Sequence, residues 1–142
     1  MAKKFQEVEI GEKIIGTSVT MTETHIVLFA GLTGDFYPLH LNEEYAKKTP
    51  FKGRIAHGPL TFVIGIGMIA SQLAKWDVVA ALGFDSTKFT APVKLGDTIT
   101  PEAEVTEKTD KGNKGIVTLR MQVKIQDGTV ALESIFKVMV NK

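Results

Sequence analysis

His57-Gly58-Pro59-Leu60-Thr61-Phe62-Val63-Ile64-Gly65-Ile66-Gly67-Met68-Ile69-Ala70-Ser71-Gln72-Leu73 is the stretch from which the fold can be read. Proline at 59 suits the first turn of a helix, since its φ is already set and its missing N–H is one that a helix start leaves unbonded. Phe62, Val63, Ile64, Ile66, Met68 and Ile69 then fall on every side, so the helix has no polar face and must be enclosed. Its most apolar part, Pro59 to Ala70, is about a dozen residues, short of the roughly 20 that cross a bilayer. The enclosing medium is therefore protein. Gly65 and Gly67 each cost about 1 kcal/mol of helix propensity relative to alanine, which points to close approach by a sheet or a ligand. Gly65-Ile66-Gly67 superficially resembles a dinucleotide fingerprint, but it lies within a helix instead of at a strand-to-helix turn.

Downstream, the period changes from helical to alternating. Val117, Leu119, Met121, Val123 and Ile125 are apolar, whereas Thr118, Arg120, Gln122 and Lys124 between them are polar: a strand with one buried and one solvated face. Asp127-Gly128 reads as a two-residue hairpin turn with both residues at positive φ, and Val130, Leu132, Phe136 and Val138 continue the partner strand. An earlier strand near Ile99 to Thr106 and another from Val78 to Phe84 complete four antiparallel strands, expected in meander order. Their shared apolar face is what can wrap the helix, so the expected class is α+β: one curled antiparallel sheet around one central apolar helix. Trp76 and Phe84 read as packing residues.

Upstream the chain is mostly helical. Thr20 or Thr22 can cap a segment from Glu23 to Leu32 that stops near Gly31 and Gly34. Asn42 can cap a second, with Glu43 and Glu44 at its start and Lys47 and Lys48 at its end to match the dipole. Nothing in composition breaks residues 1–142 into more than one domain. At 142 residues and 44% hydrophobic the chain can bury a core, and a net charge of +1 gives no uniform field to hold a nucleic acid. The absence of cysteine removes thiolate metal sites and cysteine nucleophiles. Acidic residues follow Met1-Ala2-Lys3-Lys4 without an apolar run, so a cytoplasmic home without membrane partners is expected.

Polar chemistry concentrates in two places. In Gly34-Asp35-Phe36-Tyr37-Pro38-Leu39-His40, Pro38 turns Tyr37 away from helical dihedrals and bends a loop that can aim Asp35 and His40 at one point. In Gly53-Arg54-Ile55-Ala56-His57-Gly58-Pro59, free N–H groups and the positive end of the dipole converge. Proline at 59 has no N–H, and Gly58 lacks a side chain, which makes the Gly58 N–H the natural donor to a ligand oxygen. His57 reads either as a ligand contact or as a group bonded to the backbone. His25, His40 and His57 show no metal-ligand spacing, and no metal is expected.

Gly34-Asp35-x-x-Pro38-x-His40 followed by Ile55-Ala56-His57-Gly58, with Pro92-Val93-x-x-Gly96-Asp97 ahead of the next strand, resembles the MaoC-like, R-specific enoyl-CoA hydratases from about Thr20 to the C-terminus. The resemblance implies the hot-dog fold, and addition of water to a trans-2-enoyl-CoA to give an (R)-3-hydroxyacyl-CoA, or the reverse. It implies that Asp35 and His40 hold and activate the water, that the Gly58 N–H stabilises the thioester oxygen, and that subunits pair as homodimers or higher homo-oligomers. Tyr37, His57, Arg54, Lys88 and Lys94 are the substrate-binding candidates, the last three for phosphates of CoA. CoA belongs to the substrate, and no separate cofactor is expected. Two positions depart from the family pattern: Tyr37 stands where asparagine is common, and Ile66 where a hydroxyl residue is common, with Thr61 one turn earlier. The alternatives are a hot-dog acyl-CoA thioesterase, which would direct water to the carbonyl carbon, and a non-catalytic acyl-CoA-binding subunit.

Overall fold

The computed structural model describes all 142 residues. A 3-10 turn at Phe5–Glu7 leads to β1 (Lys13–Ile15) and β2 (Val19–Thr20). Helices α1 (Glu23–Thr33), α2 (Pro38–Leu41), α3 (Glu43–Ala46) and α4 (Gly58–Leu73) follow, then β3 (Val78–Phe89), β4 (Thr98–Asp110), β5 (Lys114–Lys124) and β6 (Val130–Asn141). The pairs are antiparallel in the order β1-β4-β5-β6-β3, with β2 also joined to β4. Val105, Val117, Leu119, Met121, Val123, Leu132 and Val138 line the buried face of this curled sheet, and Leu60, Ile69 and Leu73 of α4 pack into the same core. At Gly65 a Cβ would stand 2.7 Å from Val123 Cγ2, so the sheet presses closer to the helix than any side chain permits. The expected α+β architecture is present.

The strand order differs from the expected meander. β4, β5 and β6 do form one, but β3 lies beyond β6, with Phe84 opposite Phe136 and Phe89 opposite Leu132. The flank of β4 that a meander would offer is taken by β1 and β2, which the apolar pattern does not announce. Beside β6, Phe84 stacks on Phe136 at 4.5 Å and meets Phe62 of α4 edge-on at 4.9 Å, which closes the sheet onto the helix. The hairpin also differs. Only Gly128 has positive φ, at 88°, and its N–H donates to the Ile125 carbonyl at 3.0 Å. Asp127 instead accepts the Thr129 N–H at 2.8 Å, so the turn spans more than two residues.

Two features of the helices also depart from expectation. Pro38 begins a short helical turn, so His40 stands on α2 and not in a plain loop. α4 is not enclosed on every side: Val63 is 48% exposed, and Gly67 and Ala70 share its open flank. A Cβ at Gly67 would meet nothing within 4 Å, so close approach by the sheet explains Gly65 alone.

Candidate active site

Gly34 ends α1 in the left-handed conformation, φ 82°, and turns the chain into Asp35. The Asp35 N–H donates to Thr33 Oγ1 at 3.2 Å, and Asp35 Oδ1 accepts the Tyr37 N–H at 3.2 Å, which fixes the carboxylate just ahead of α2. Pro38, the first residue of α2, sets the turn that places His40. The His40 ring is buried, and its Nδ1 lies 2.8 Å from the Ile55 carbonyl. A carbonyl only accepts, so Nδ1 carries the proton and the neutral ring presents a bare Nε2.

His57 caps the start of α4 and is completely buried. Its Nε2–H donates to the Asp35 carbonyl at 3.0 Å, and its ring stacks on His40 with centroids 4.0 Å apart and planes 29° apart. Phe29 of α1 meets the same ring edge-on at 4.9 Å. Burial pushes the His57 imidazole below its ordinary basicity; the bond to Asp35 opposes this, and His40 adds to it. The donor atoms of Asp35, His40 and His57 all lie within 4.8 Å of one another, a grouping the sequence spacing of the three histidines does not announce. His25 takes no part: its Nδ1 accepts the Thr22 N–H at 3.0 Å in the cap of α1.

Gly58 opens α4, and its N–H has no partner within the chain. It borders a cavity of about 380 Å³ lined by Phe51, Ile55, Ala56, Pro59, Thr61 and Phe89, with Thr90 to Val93 and Ala131 beyond. The Phe89 ring lies 2.9 Å from where a Cβ at 58 would stand, so glycine is required there and the phenyl forms one wall beside the donor. Asp35 and His40 do not line this cavity. They connect to it through Ile55, whose carbonyl His40 bonds, and through His57, bonded to Asp35 and next to Gly58. Phe51 and Phe89 are lining residues that sequence reasoning did not assign. Phe89 stands three residues before the Pro92-Val93 motif and was within reach, whereas Phe51 carries no signal. Thr61 lines the cavity; Ile66 packs against the core instead.

The remaining candidates divide. Tyr37 is 54% exposed, its ring 6.2 Å from that of His40 and its hydroxyl 3.3 Å from that of Tyr45. Lys94 is exposed beside the cavity, its Nζ donating to the Phe51 carbonyl at 3.0 Å. Arg54 is already paired. It donates to both carboxylate oxygens of Glu23, at 2.8 and 2.7 Å, and through Nε to Glu43 at 3.0 Å, so its charge is spent tying α1 to α3. Lys88 points to the opposite face of β3 from Phe89 and sits with Arg120 and Glu133, away from the cavity. His57, fully buried behind His40, cannot touch substrate either.

Comparison with known proteins agrees with this geometry. Over 136 residues the chain is 36% identical to the (R)-specific enoyl-CoA hydratase of Rhodospirillum rubrum, covering 96% of this chain and 90% of that one. A structure described as a monoamine oxidase regulatory protein from Archaeoglobus superposes with a TM-score of 0.94 at 40% identity, covering 99% of this chain and 95% of that one. The (R)-hydratase of Aeromonas caviae, described as involved in PHA biosynthesis, gives 0.82 at 33% identity, covering 94% and 97%. The curled sheet around α4 is the hot-dog fold. Residues 4–126 match the family described as MaoC like domain, a span that starts and ends earlier than the stretch from about Thr20 onward that the motifs marked out. On that match, and on a site whose carboxylate, imidazole and helix-start donor fall where the family's motifs are, the chain belongs to the MaoC-like family of hydratases and dehydratases.

Proposed function

We propose that the chain catalyses reversible hydration of trans-2-enoyl-CoA thioesters to (R)-3-hydroxyacyl-CoA. The observation that carries this reading is the meeting of Asp35 with His40, whose Nδ1 bonds the Ile55 carbonyl, around His57, the residue next to the unpartnered Gly58 N–H. A water held by the Asp35 carboxylate gives its proton to His40 Nε2 as its oxygen bonds to Cβ. Electron density moves to the thioester oxygen, where the Gly58 N–H and the start of α4 stabilise it. The His40 imidazolium, balanced by Asp35, then returns a proton to Cα, so the net change is one water added across the double bond. Only water and protons move, and neither a metal nor a redox cofactor has a task in the scheme. The R configuration follows the relatives named as (R)-specific hydratases.

The apolar cavity suits the acyl or pantetheine part of the thioester, and Lys94 at its edge is the remaining candidate for a phosphate contact. We further propose a cytoplasmic homodimer. The outer edge of β3 is unpaired, and Val79 and Leu82 on that strand, Val63 on α4, and Val27, Leu28 and Leu32 on α1 leave apolar side chains uncovered. Sedimentation should give twice the chain mass, and Leu28→Lys combined with Leu82→Lys should reduce it to one; an unaltered mass in that variant removes this surface from the interface.

The test of activity is a panel of enoyl-CoA thioesters of increasing chain length. Enone absorbance should fall without release of free thiol, and the product should be oxidised by an R-specific and not an S-specific 3-hydroxyacyl-CoA dehydrogenase. Thiol release from saturated thioesters would establish hydrolysis instead, and binding without turnover would leave a scaffold.

A further inference from the structure

Three observations converge on His57, which the hydration scheme leaves without a task. It is completely buried; its Nε2–H is committed to the main-chain carbonyl of Asp35 at 3.0 Å; and its face forms the platform on which the His40 ring lies, 4.0 Å between centroids. Its other nitrogen, Nδ1, is buried with no hydrogen-bond partner, an unusual state for a polar atom in a folded chain. We propose that His57 is a positioning residue, locked as the neutral Nε2–H tautomer, that holds the backbone of Asp35, the ring plane of His40 and the start of α4 as one unit. The inference rests on the hydratase reading for its kinetic consequence, but the tautomer itself does not.

The chain of contacts is direct. Residue 57 is covalently joined to Gly58, so the element that carries the oxyanion donor is pinned to the segment that carries the carboxylate through one N–H to carbonyl bond. His40 is fixed at two places, by its Nδ1–H bond to Ile55 and by the stack below it, which leaves Nε2 one direction in which to point. Of the neighbours that pack on His57, Phe29 is apolar; the titratable groups acting on it are His40 and Asp35. A second proton on His57 would have to go to Nδ1, where nothing accepts it, and would set a cation against the very ring that must gain one during turnover. Burial lowers the basicity of this ring in agreement with that geometry.

The experiment joins two variants to one spectroscopic measurement on the wild type. His57→Leu keeps an apolar side chain of similar size but has neither donor nor ring. Its kcat should fall by about a hundredfold, the scale of a small misplacement of reacting groups, with KM within about threefold of wild type. His57→Gln can still offer an amide N–H to the Asp35 carbonyl and should recover kcat to within about tenfold. A Leu variant at wild-type kcat, a loss confined to KM, or a Gln variant no better than Leu overturns the assignment. Nitrogen-15 spectra of the wild-type imidazoles should show one ring with a bare Nδ1 and a protonated Nε2 that stays neutral as the pH falls below 6.5. An Nδ1–H tautomer for His57, or a titration like that of a free histidine, overturns it too. The spectrum decides the matter if the Leu variant does not fold. If the wild type hydrates no enoyl-CoA, the activity reading fails while the spectrum still judges the position of His57.

Discussion

At the scale of single residues, the groups proposed to react are separated from those that hold them. Asp35 and His40 meet beside the buried His57, and Arg54 is paired with Glu23 and Glu43. Asp35→Asn and His40→Asn should each lower hydration by roughly 10² to 10⁴, the range for loss of a positioned acid or base. Their melting temperatures should stay close to wild type, because Asp35 is partly exposed and asparagine can still accept the Tyr37 N–H or donate to Ile55. Stopped assays on folded protein check both, and turnover near wild type in either removes that side chain from the chemistry. Asp35 and His40 were legible in the sequence because a glycine and a proline bracket a short segment and limit where its side chains can go. The ion pairs of Arg54 were not, since Glu23 is far away along the chain and nothing in the local pattern says that α1 and α3 will flank the same guanidinium.

At the scale of elements, α4 and the strands that enclose it were the most readable part of the molecule. Gly65 shows how: a residue that weakens a helix was retained inside one, and the neighbour that demands it, Val123, belongs to the strand with the clearest alternation. Gly65→Ala should destabilise the protein by about 1–3 kcal/mol through overpacking. Denaturant melts measure that loss directly, and an unchanged midpoint would show that helix and sheet separate at no cost. The order of the strands was hidden because alternation reports which face a strand buries and says nothing about which neighbour it takes. β1 and β2 escaped notice for a related reason: at three and two residues they are too short to display a period, yet they occupy the flank of β4 and so exile β3 to the far side.

For the whole molecule, acid is the condition that should loosen the fold, and in two stages. His57 has a folded-state pKa below its ordinary value of 6.5, so below that pH the unfolded chain takes up a proton that the folded chain refuses, and stability falls with pH. Glu23 is held below its ordinary 4.5 by the Arg54 hydrogen bond, and Asp77 and Asp110 below 3.8 by those of Lys4 and Lys142. Their contribution is intact above those ordinary values and is lost as pH drops through the lowered ones. Thermal melts should show a first decline beginning near pH 6.5 that His57→Leu lacks, and a second beginning near pH 4.5 that both proteins share. A wild-type profile flat between those two values would mean that His57 titrates freely. The position of β3 beside β6 has a further consequence for how the chain is made. The first long strand, β3, has no seat until residues 130–141 have emerged, so its apolar side chains and the flank of α4 where Phe62 meets Phe84 wait while β4 and β5 form. A nascent chain stalled before Val130 is thus a natural client for chaperones, and loss of β6 would unseat β3 and bare the Phe62 flank of the helix, at birth and on unfolding alike.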